Sequence, residues 1–574
     1  MNNRDVAQVF DEIADLLEIK GEQIYKVLAY RRAAESIRSL GKDIGGVRKE
    51  GALETIPGVG KAIAAKIDEL LGTGKLEFAD ELKAEIPATL VEILRVGDVG
   101  PKKAARFWRE LGITTLDQLE RAARNGRLRG LSGMGERSEA RILASIEALR
   151  RRQSGRIPIG TARPIAEGLV QRLRGLPEVT KAEMAGSLRR WKETIGDLDL
   201  IVGAGDPGAV MQAASRFPEI ARIKGQGETK FSAELVDGLR VQLWVHPPER
   251  FGTALQYATG SQAHNVRLRE LALDRGLSLS EHGFKRKDGT EIVCAEEEEV
   301  YQHLGLPWIP PELREDQGEV QAAREGRLPS LVSLEDLRGE LHCHTDWSDG
   351  QNTIEEMARA ARSAGLAYLV ISDHSQSLGV VNGLNVDRLR EQWSAIADAQ
   401  HRLGDSILLL RGAEVEIRAD GVLDYPDEIL AALDVVTASV HTSLRQSRER
   451  VTARMLSAVR NPHVDVIGHP TGRMVGQRDP ADLDLEAVLA AARETGVALE
   501  INAHPARLDL KDAHARRATE VGCLLAINAD IHSPADLELR AYGVATARRG
   551  WVSASGVVNS WPLDRLLPWL AGRG

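Results

Sequence analysis

The chain has 574 residues, too many for one hydrophobic core and enough for about three to five domains. Charged residues make up 28 % and apolar residues 43 %, an ordinary globular balance that excludes a disordered or fibrous chain. No export leader and no membrane-length apolar run occur, and three widely spaced cysteines (Cys294, Cys343, Cys523) exclude a disulfide framework, so a cytoplasmic chain is expected.

The net charge of −9 is unevenly spread. The first 160 residues are mildly basic, which permits nucleic acid as a partner. The acidity sits near the C-terminal end, together with most of the 14 histidines, a pairing that suggests bound metal.

Residues 4–150 show helical periodicity with short glycine-containing breaks. Three breaks look alike: "IPGVGKAIAAKI" from Ile56, "VGDVGPKKAARF" from Val96 and "LSGMGERSEARI" from Leu131. In each a glycine pair opens a helix: Gly58 and Gly60, Gly97 and Gly100, Gly133 and Gly135. Such turns aim backbone N–H groups outward at a helix N-terminus, where a phosphate fits. One copy is compatible with an ordinary helical bundle. Three copies point to helix-hairpin-helix binding of the DNA backbone, which fixes register without reading sequence.

From Arg156 to Val245 helix and strand signals alternate, and "AGSLRRWKETIGDLDLIV" opens at Ala185. Asp197 and Asp199 leave one face of a strand while Leu198 and Leu200 leave the other. Two like charges on one face repel, so a shared hard cation explains them better than folding does. The preceding Gly186 and Ser187 can hold a triphosphate through backbone N–H and hydroxyl, with arginines neutralising its charge. The next strands are "FSAELVDG" and "LRVQLWV". A two-residue Asp237–Gly238 turn pairs Ala233 with Gln242 and turns Glu234 to the opposite face, and a looser turn changes that register. The acid run Glu296–Glu299 reads as a solvated helix start, and "DQGEVQAAREGRLPS" as a polar linker.

From Gly339 seven apolar runs each end in polar, metal-type residues, with helical segments between them. That repeat is a parallel β/α barrel, whose functional residues collect at strand C-termini. The endings are His342, His344, Asp349, His374, Glu414, His441, His469, Asp530 and His532. One histidine at a strand end is more often structural, but nine such groups are not core filler. Imidazole mixed with carboxylate suits two or three Mn²⁺, Zn²⁺ or Fe²⁺ ions, enough to clamp a phosphoryl displacement. Cys343 points to the opposite face and is expected in the core. Arg507 can hold a substrate phosphate.

The run "YKVLAYRRAAESIRSL…LETIPGVGKAIAAKIDELLGTGKL", the spacing Gly-Ser-x-Arg-Arg…Gly-Asp-x-Asp, and "HCHTDWSDG…SDHS…GAEVEI…SVHTS…GHP…NADIH" together resemble bacterial and archaeal family X DNA polymerases with a C-terminal PHP domain. The resemblance implies a small helical DNA-end-binding, lyase-like domain (1–80), helix-hairpin-helix fingers (81–155), an α+β nucleotidyltransferase palm (156–245), a thumb (246–315), a linker (316–335) and a distorted (β/α)7 PHP barrel (336–574). It implies Schiff-base chemistry at Lys66, with Lys26 and Tyr30 beside it. The family's second lysine is replaced here by Ala62, and the alternative for Lys66 is a solvated helix lysine. It implies triphosphate contacts from Gly186, Ser187 and Arg190, Mg²⁺ or Mn²⁺ on Asp197 and Asp199, sugar contacts from Tyr257 and Gly260, and base-pair contacts from Asn265 and Arg269. Three departures stand inside these motifs: Trp191 for a usual glycine, Ala258 for a usual phenylalanine, and Gln242 for the third catalytic aspartate. The implied function is DNA repair: gap-filling nucleotidyl transfer, weakened by Gln242, joined to 3′–5′ exonuclease and 3′-phosphate removal. The implied partners are gapped or nicked DNA and dNTPs, no membrane, with the chain a monomer. The alternatives are a nuclease whose polymerase half only binds DNA and nucleotide, and a small-molecule phosphatase.

Overall fold

The computed structural model describes residues 3–38, 44–56, 58–87, 89–94, 96, 99–131, 133–153 and 156–572, which divide into two compact units at residue 155. Among them no helix is long and apolar enough to cross a membrane.

The first unit is helical. Helix α1 (Asn3–Lys20) buries Val6, Phe10, Ile13 and Leu17, one stripe at helical spacing. It lies along α2 (Ile24–Arg38), and one core runs from Val6 to Ile146. Three further helices follow the glycine turns: α3 (Lys61–Thr73), α4 (Pro101–Leu111) and α5 (Glu136–Gln153). Gly60 and Gly100 are the N-cap residues of α3 and α4. Gly58 and Gly133 take φ of 81° and 77°, which the tight turn demands and other residues resist. Gly97 lies outside the described residues.

The second unit starts with a five-stranded sheet. Its strands are β1 (Val179–Met184), β2 (Leu198–Ala204), β3 (Ile220–Gln226), β4 (Lys230–Leu235) and β5 (Arg240–His246), in the order β1-β2-β5-β4-β3. The alternation in β2 and β5 decides its two faces. Leu198, Leu200, Val202, Val241, Leu243 and Val245 point into one core, under the helix Ile159–Arg174. Asp199 and Gln242, register partners on parallel strands, share the other face. That face also meets α6 (Phe251–Thr259), which leads to α7 (Gln262–Asp274) and, through a short antiparallel sheet, to α8 (Glu297–His303).

The structure decides one open register and corrects two expectations. The β4–β5 turn is a three-residue loop, 236–238, with Gly238 at φ 84° and Asp237 accepting a hydrogen bond from the Leu239 N–H. Ser232, not Ala233, therefore pairs with Gln242, and Glu234 pairs with Arg240. Glu234 thus sits on the Asp199 face, bonded to Lys224 at 2.7 Å. The acid run is not wholly solvated either. Glu297 is 4 % exposed and bonds Arg189, Arg314 and the Trp308 indole. The expected linker 316–335 carries the helix Glu319–Arg324, whose buried Glu319 meets the ring of His264 at 2.7 Å.

The barrel has seven parallel strands in chain order: β6 (Gly339–Glu340), β7 (Tyr368–Ile371), β8 (Leu408–Glu416), β9 (Val435–Ser439), β10 (Val466–Ile467), β11 (Ala498–Asn502) and β12 (Leu525–Asn528). A parallel bridge between Cys343 and Ile531 joins its first and last segments. Cys343 is buried in the apolar core, as expected from its strand face. Because all strands run one way, their C-terminal ends, and every candidate metal ligand, gather at one mouth.

Candidate active sites

In the palm, the seven residues expected to hold a nucleotide line one cleft of about 650 Å³: Gly186, Ser187, Arg190, Tyr257, Gly260, Asn265 and Arg269. Asp197 and Asp199 line it too. Gly186 is required there, since a Cβ would fall 2.1 Å from Asp199 Oδ2. Asn265 is fixed by two bonds, donating to the Tyr257 carbonyl and accepting from Gln256. Burial, then the neighbouring Asp197, pushes the Asp199 carboxyl up to about 6. A divalent ion between the two acids would remove that repulsion, so the donor set fits a hard cation. The third position is different. Gln242 donates its amide to Asp197 Oδ2 at 3.3 Å, and Arg240 stands 2.7 Å from Oδ1 of the same carboxylate.

In the first unit, Lys66, Lys26 and Tyr30 surround Phe78. Lys66 Nζ lies 4.7 Å and Lys26 Nζ 5.7 Å from the ring centroid, and Tyr30 stacks on it at 5.9 Å. The described glycines of the turns, Gly58, Gly60, Gly100, Gly133 and Gly135, are exposed.

At the barrel mouth the nine expected ligands converge. Three groups have ligand atoms close enough to share an ion: His344, Asp349, His374 and His532; His342, His344 and Asp530; and His374, Glu414 and His441. His469 joins through Nε2, 2.9 Å from Glu414 Oε1. Both ring nitrogens of His344 and Nε2 of His342 are buried without a hydrogen bond. Orphaned imidazoles facing carboxylates fit cations between them. The fields are strong. Burial would raise the Glu414 carboxyl, but His441, His342 and His374 hold it well below the usual range. Burial would lower His374, but Glu414 and Asp349 hold it near 10. Arg507 reaches within 3.8 Å of Asp530.

Sequence reading missed the residues behind these ligands. Glu500 accepts from His342 Nδ1 at 2.7 Å and from the His469 N–H. Glu416 meets His441 Nδ1 at 2.8 Å and pairs with the buried Arg454. Each fixes a ring so that Nε2 faces the centre. The signal was present, because Glu416 stands two residues after Glu414 on the same strand face, and Glu500 is a lone charge inside an apolar run.

Matches to known families follow the same division. Residues 1–76 match the helix-hairpin-helix domain, 90–148 the SAM-like helix-hairpin-helix tandem, 254–315 the DNA polymerase beta thumb and 340–504 the PHP domain. Helical hairpins, a polymerase-type palm and thumb, and a PHP barrel in this order define one class, and the chain belongs to it: the PolX family. It is 37 % identical over 563 residues to the DNA polymerase/3′-5′ exonuclease PolX of Bacillus subtilis (strain 168), covering 98 % of each chain. Part of the chain is also similar to two shorter relatives. A probable phosphatase of Thermoanaerobacter sp. (strain X514) is 31 % identical over 233 residues, 38 % of this chain and 89 % of the relative. One of Shewanella sp. (strain MR-4) is 29 % identical over 252 residues, 40 % and 86 %.

Proposed function

We propose that this chain is a cytoplasmic, monomeric DNA-repair enzyme acting on gapped or nicked DNA. Its barrel removes nucleotides or phosphate from 3′ ends, and its palm adds dNTPs weakly. The observation that carries the reading is the convergence of nine imidazole and carboxylate side chains at one barrel mouth, with orphaned ring nitrogens among them. Two or three Mn²⁺, Zn²⁺ or Fe²⁺ ions suit that donor set, and Mg²⁺ or Mn²⁺ suits Asp197 and Asp199. When bound, such ions activate water and neutralise charge in an in-line displacement. The ligands are His342, His344, Asp349, His374, Glu414, His441, His469, Asp530 and His532. Arg507 orients the substrate phosphate beside them. Glu416 and Glu500 hold His441 and His342 in the tautomers that present Nε2.

In the palm, Ser187 and Arg190 bind the triphosphate, Tyr257 and Gly260 the sugar, and Asn265 and Arg269 the nascent pair. The exposed glycine turns hold the DNA backbone, Gly97 included by its sequence motif, and Lys66 stands at a DNA-end site. The amide of Gln242 on Asp197 favours a second reading, in which the palm binds nucleotide without transferring it. Chelation tests the main proposal. Protein stripped of metal should release no nucleotide from a 3′-labelled duplex, and added Mn²⁺ should restore release. Hydrolysis that persists in stripped, metal-assayed protein would contradict it.

A further inference from the structure

The segment that follows the Gly186–Ser187 turn is built against the barrel. Arg190 lines the nucleotide cleft, donates from Nε to Glu315 Oε1 at 3.1 Å, and donates from Nη1 to the Thr259 carbonyl. Trp191 has φ of 54°, a left-handed backbone that bulky residues rarely adopt. Its indole is held by the Arg163 guanidinium, 3.6 Å from the ring centroid, and by the edge of Tyr542 at 5.5 Å. Glu193 pairs with the buried Arg473 at 2.8 Å. Tyr542 lies on α9 (Arg540–Arg549), a barrel helix, and Arg473 lies in the loop after β10.

The last residue of α9 closes this joint. Arg549 is 7 % exposed. Its Nε and Nη2 grip Asp512 at 2.8 and 2.7 Å. Its Nη1 donates to the Arg190 carbonyl at 2.6 Å and to Glu315 Oε1 at 3.1 Å. One barrel guanidinium therefore holds both the backbone of Arg190 and the carboxylate that Arg190's side chain uses. Lys192 approaches the same oxygen at 3.8 Å.

We propose that Arg549 is a positioning residue for the palm's nucleotide site, so that the barrel sets the strength with which Arg190 meets a triphosphate. The proposal rests on the reading of the palm cleft as a nucleotide site. Glu315, shared among three cations, takes only part of Arg190's charge. Without Arg549 the carboxylate is left to Arg190 and Lys192, and it competes with the incoming phosphates. The Arg190 carbonyl also loses its donor, beside a residue already in a left-handed conformation, and the turn relaxes. Neither change touches a barrel ligand. Two chemistries in one chain thus share a rigid joint.

Calorimetry on the full-length, Mn²⁺-saturated protein with the non-hydrolysable α,β-imido analogue of dATP tests this. Arg549→Gln should weaken binding by about tenfold or more, the scale of losing charge-assisted bonds in a buried site. Arg549→Lys should recover part of that loss. In primer extension the change should appear in KM for dNTP with kcat little altered. Melting temperature should fall in Arg549→Gln, which leaves Asp512 and Glu315 without the Arg549 guanidinium, but barrel hydrolysis of a 3′-labelled oligonucleotide should stay at the wild-type value in both variants. Unchanged nucleotide affinity in Arg549→Gln would overturn the proposal. A parallel loss of stability, hydrolysis and affinity would overturn it as well, by making Arg549 a general structural clamp. Wild-type protein that fails to bind the analogue would instead overturn the nucleotide reading of the palm itself.

Discussion

The proposed weakness of the palm rests on Gln242. Oδ2 of Asp197 accepts from the Gln242 amide at 3.3 Å, and the Arg240 guanidinium lies 2.7 Å from Oδ1 as an ion pair without a hydrogen bond. A neutral donor stands where a third negative ligand would draw the second ion, so the amide competes for Asp197 and adds no charge. Restoring it with Gln242→Asp should raise primer extension on a one-nucleotide gap by about 100–1,000-fold, equivalent to ~3–4 kcal/mol at the transition state. Strong wild-type extension in Mg²⁺ that the substitution leaves unimproved would mean that another carboxylate serves, and Glu234 on the same face is the one placed to do so. Glu297 illustrates a residue that sequence hid. Burial alone would raise its carboxyl, but Arg314 and Arg189 outweigh that and hold it well below the usual range. Its stabilising contribution is therefore full above the unfolded value near 4.5 and is lost as pH falls toward the depressed folded value. Glu297→Gln strands the fully buried Arg314 and should cost about 3–5 kcal/mol in denaturant unfolding. A change within about 0.5 kcal/mol would show the site to be wet. Four glutamates in a row look like a solvated cap because the burial of Glu297 depends on Arg189, more than 100 residues away, which no local pattern reveals.

Among the elements, the helices after the glycine turns were legible because each turn needs residues of a kind that few other structures need. Gly58 and Gly133 take positive φ, and Gly60 and Gly100 cap α3 and α4. A backbone N–H cluster at a helix N-terminus binds phosphate without regard to base. Affinity of the full-length protein for duplex DNA should then fall at least roughly tenfold between 50 and 200 mM salt, and hardly differ between duplexes of unrelated sequence. A strong sequence preference in a competition assay, or equal affinity after deletion of residues 1–150, would contradict this. Strands were legible where alternation is strict, as in β2 and β5. The β4–β5 register was not. Asp237–Gly238 signals a tight turn equally well as a two-residue or a three-residue loop, and one residue of difference moves Glu234 from one face to the other.

At the scale of the whole molecule, the barrel was read from rhythm alone. Seven apolar runs ending in ligand-type residues require parallel strands, and parallel strands put all their ends at one mouth. The joint between palm and barrel was not legible. Arg549, Tyr542 and Arg473 are surface-type residues on barrel elements, and only the folded chain brings them to Arg190, Trp191 and Glu193. Two separate chemistries on one chain should still be separable by mutation, since the barrel ligands and the palm acids belong to different elements. The direct test is a gapped duplex, labelled on the primer, incubated with dNTPs and Mn²⁺ and resolved on a sequencing gel. Wild-type protein and Asp197→Ala/Asp199→Ala should both shorten the primer. His344→Ala/His374→Ala, folded as judged by its melting curve, should leave it unshortened and, if anything, slowly extended. Primer shortening that persists in His344→Ala/His374→Ala, or that disappears in Asp197→Ala/Asp199→Ala, would contradict a hydrolytic barrel whose chemistry does not use the palm acids.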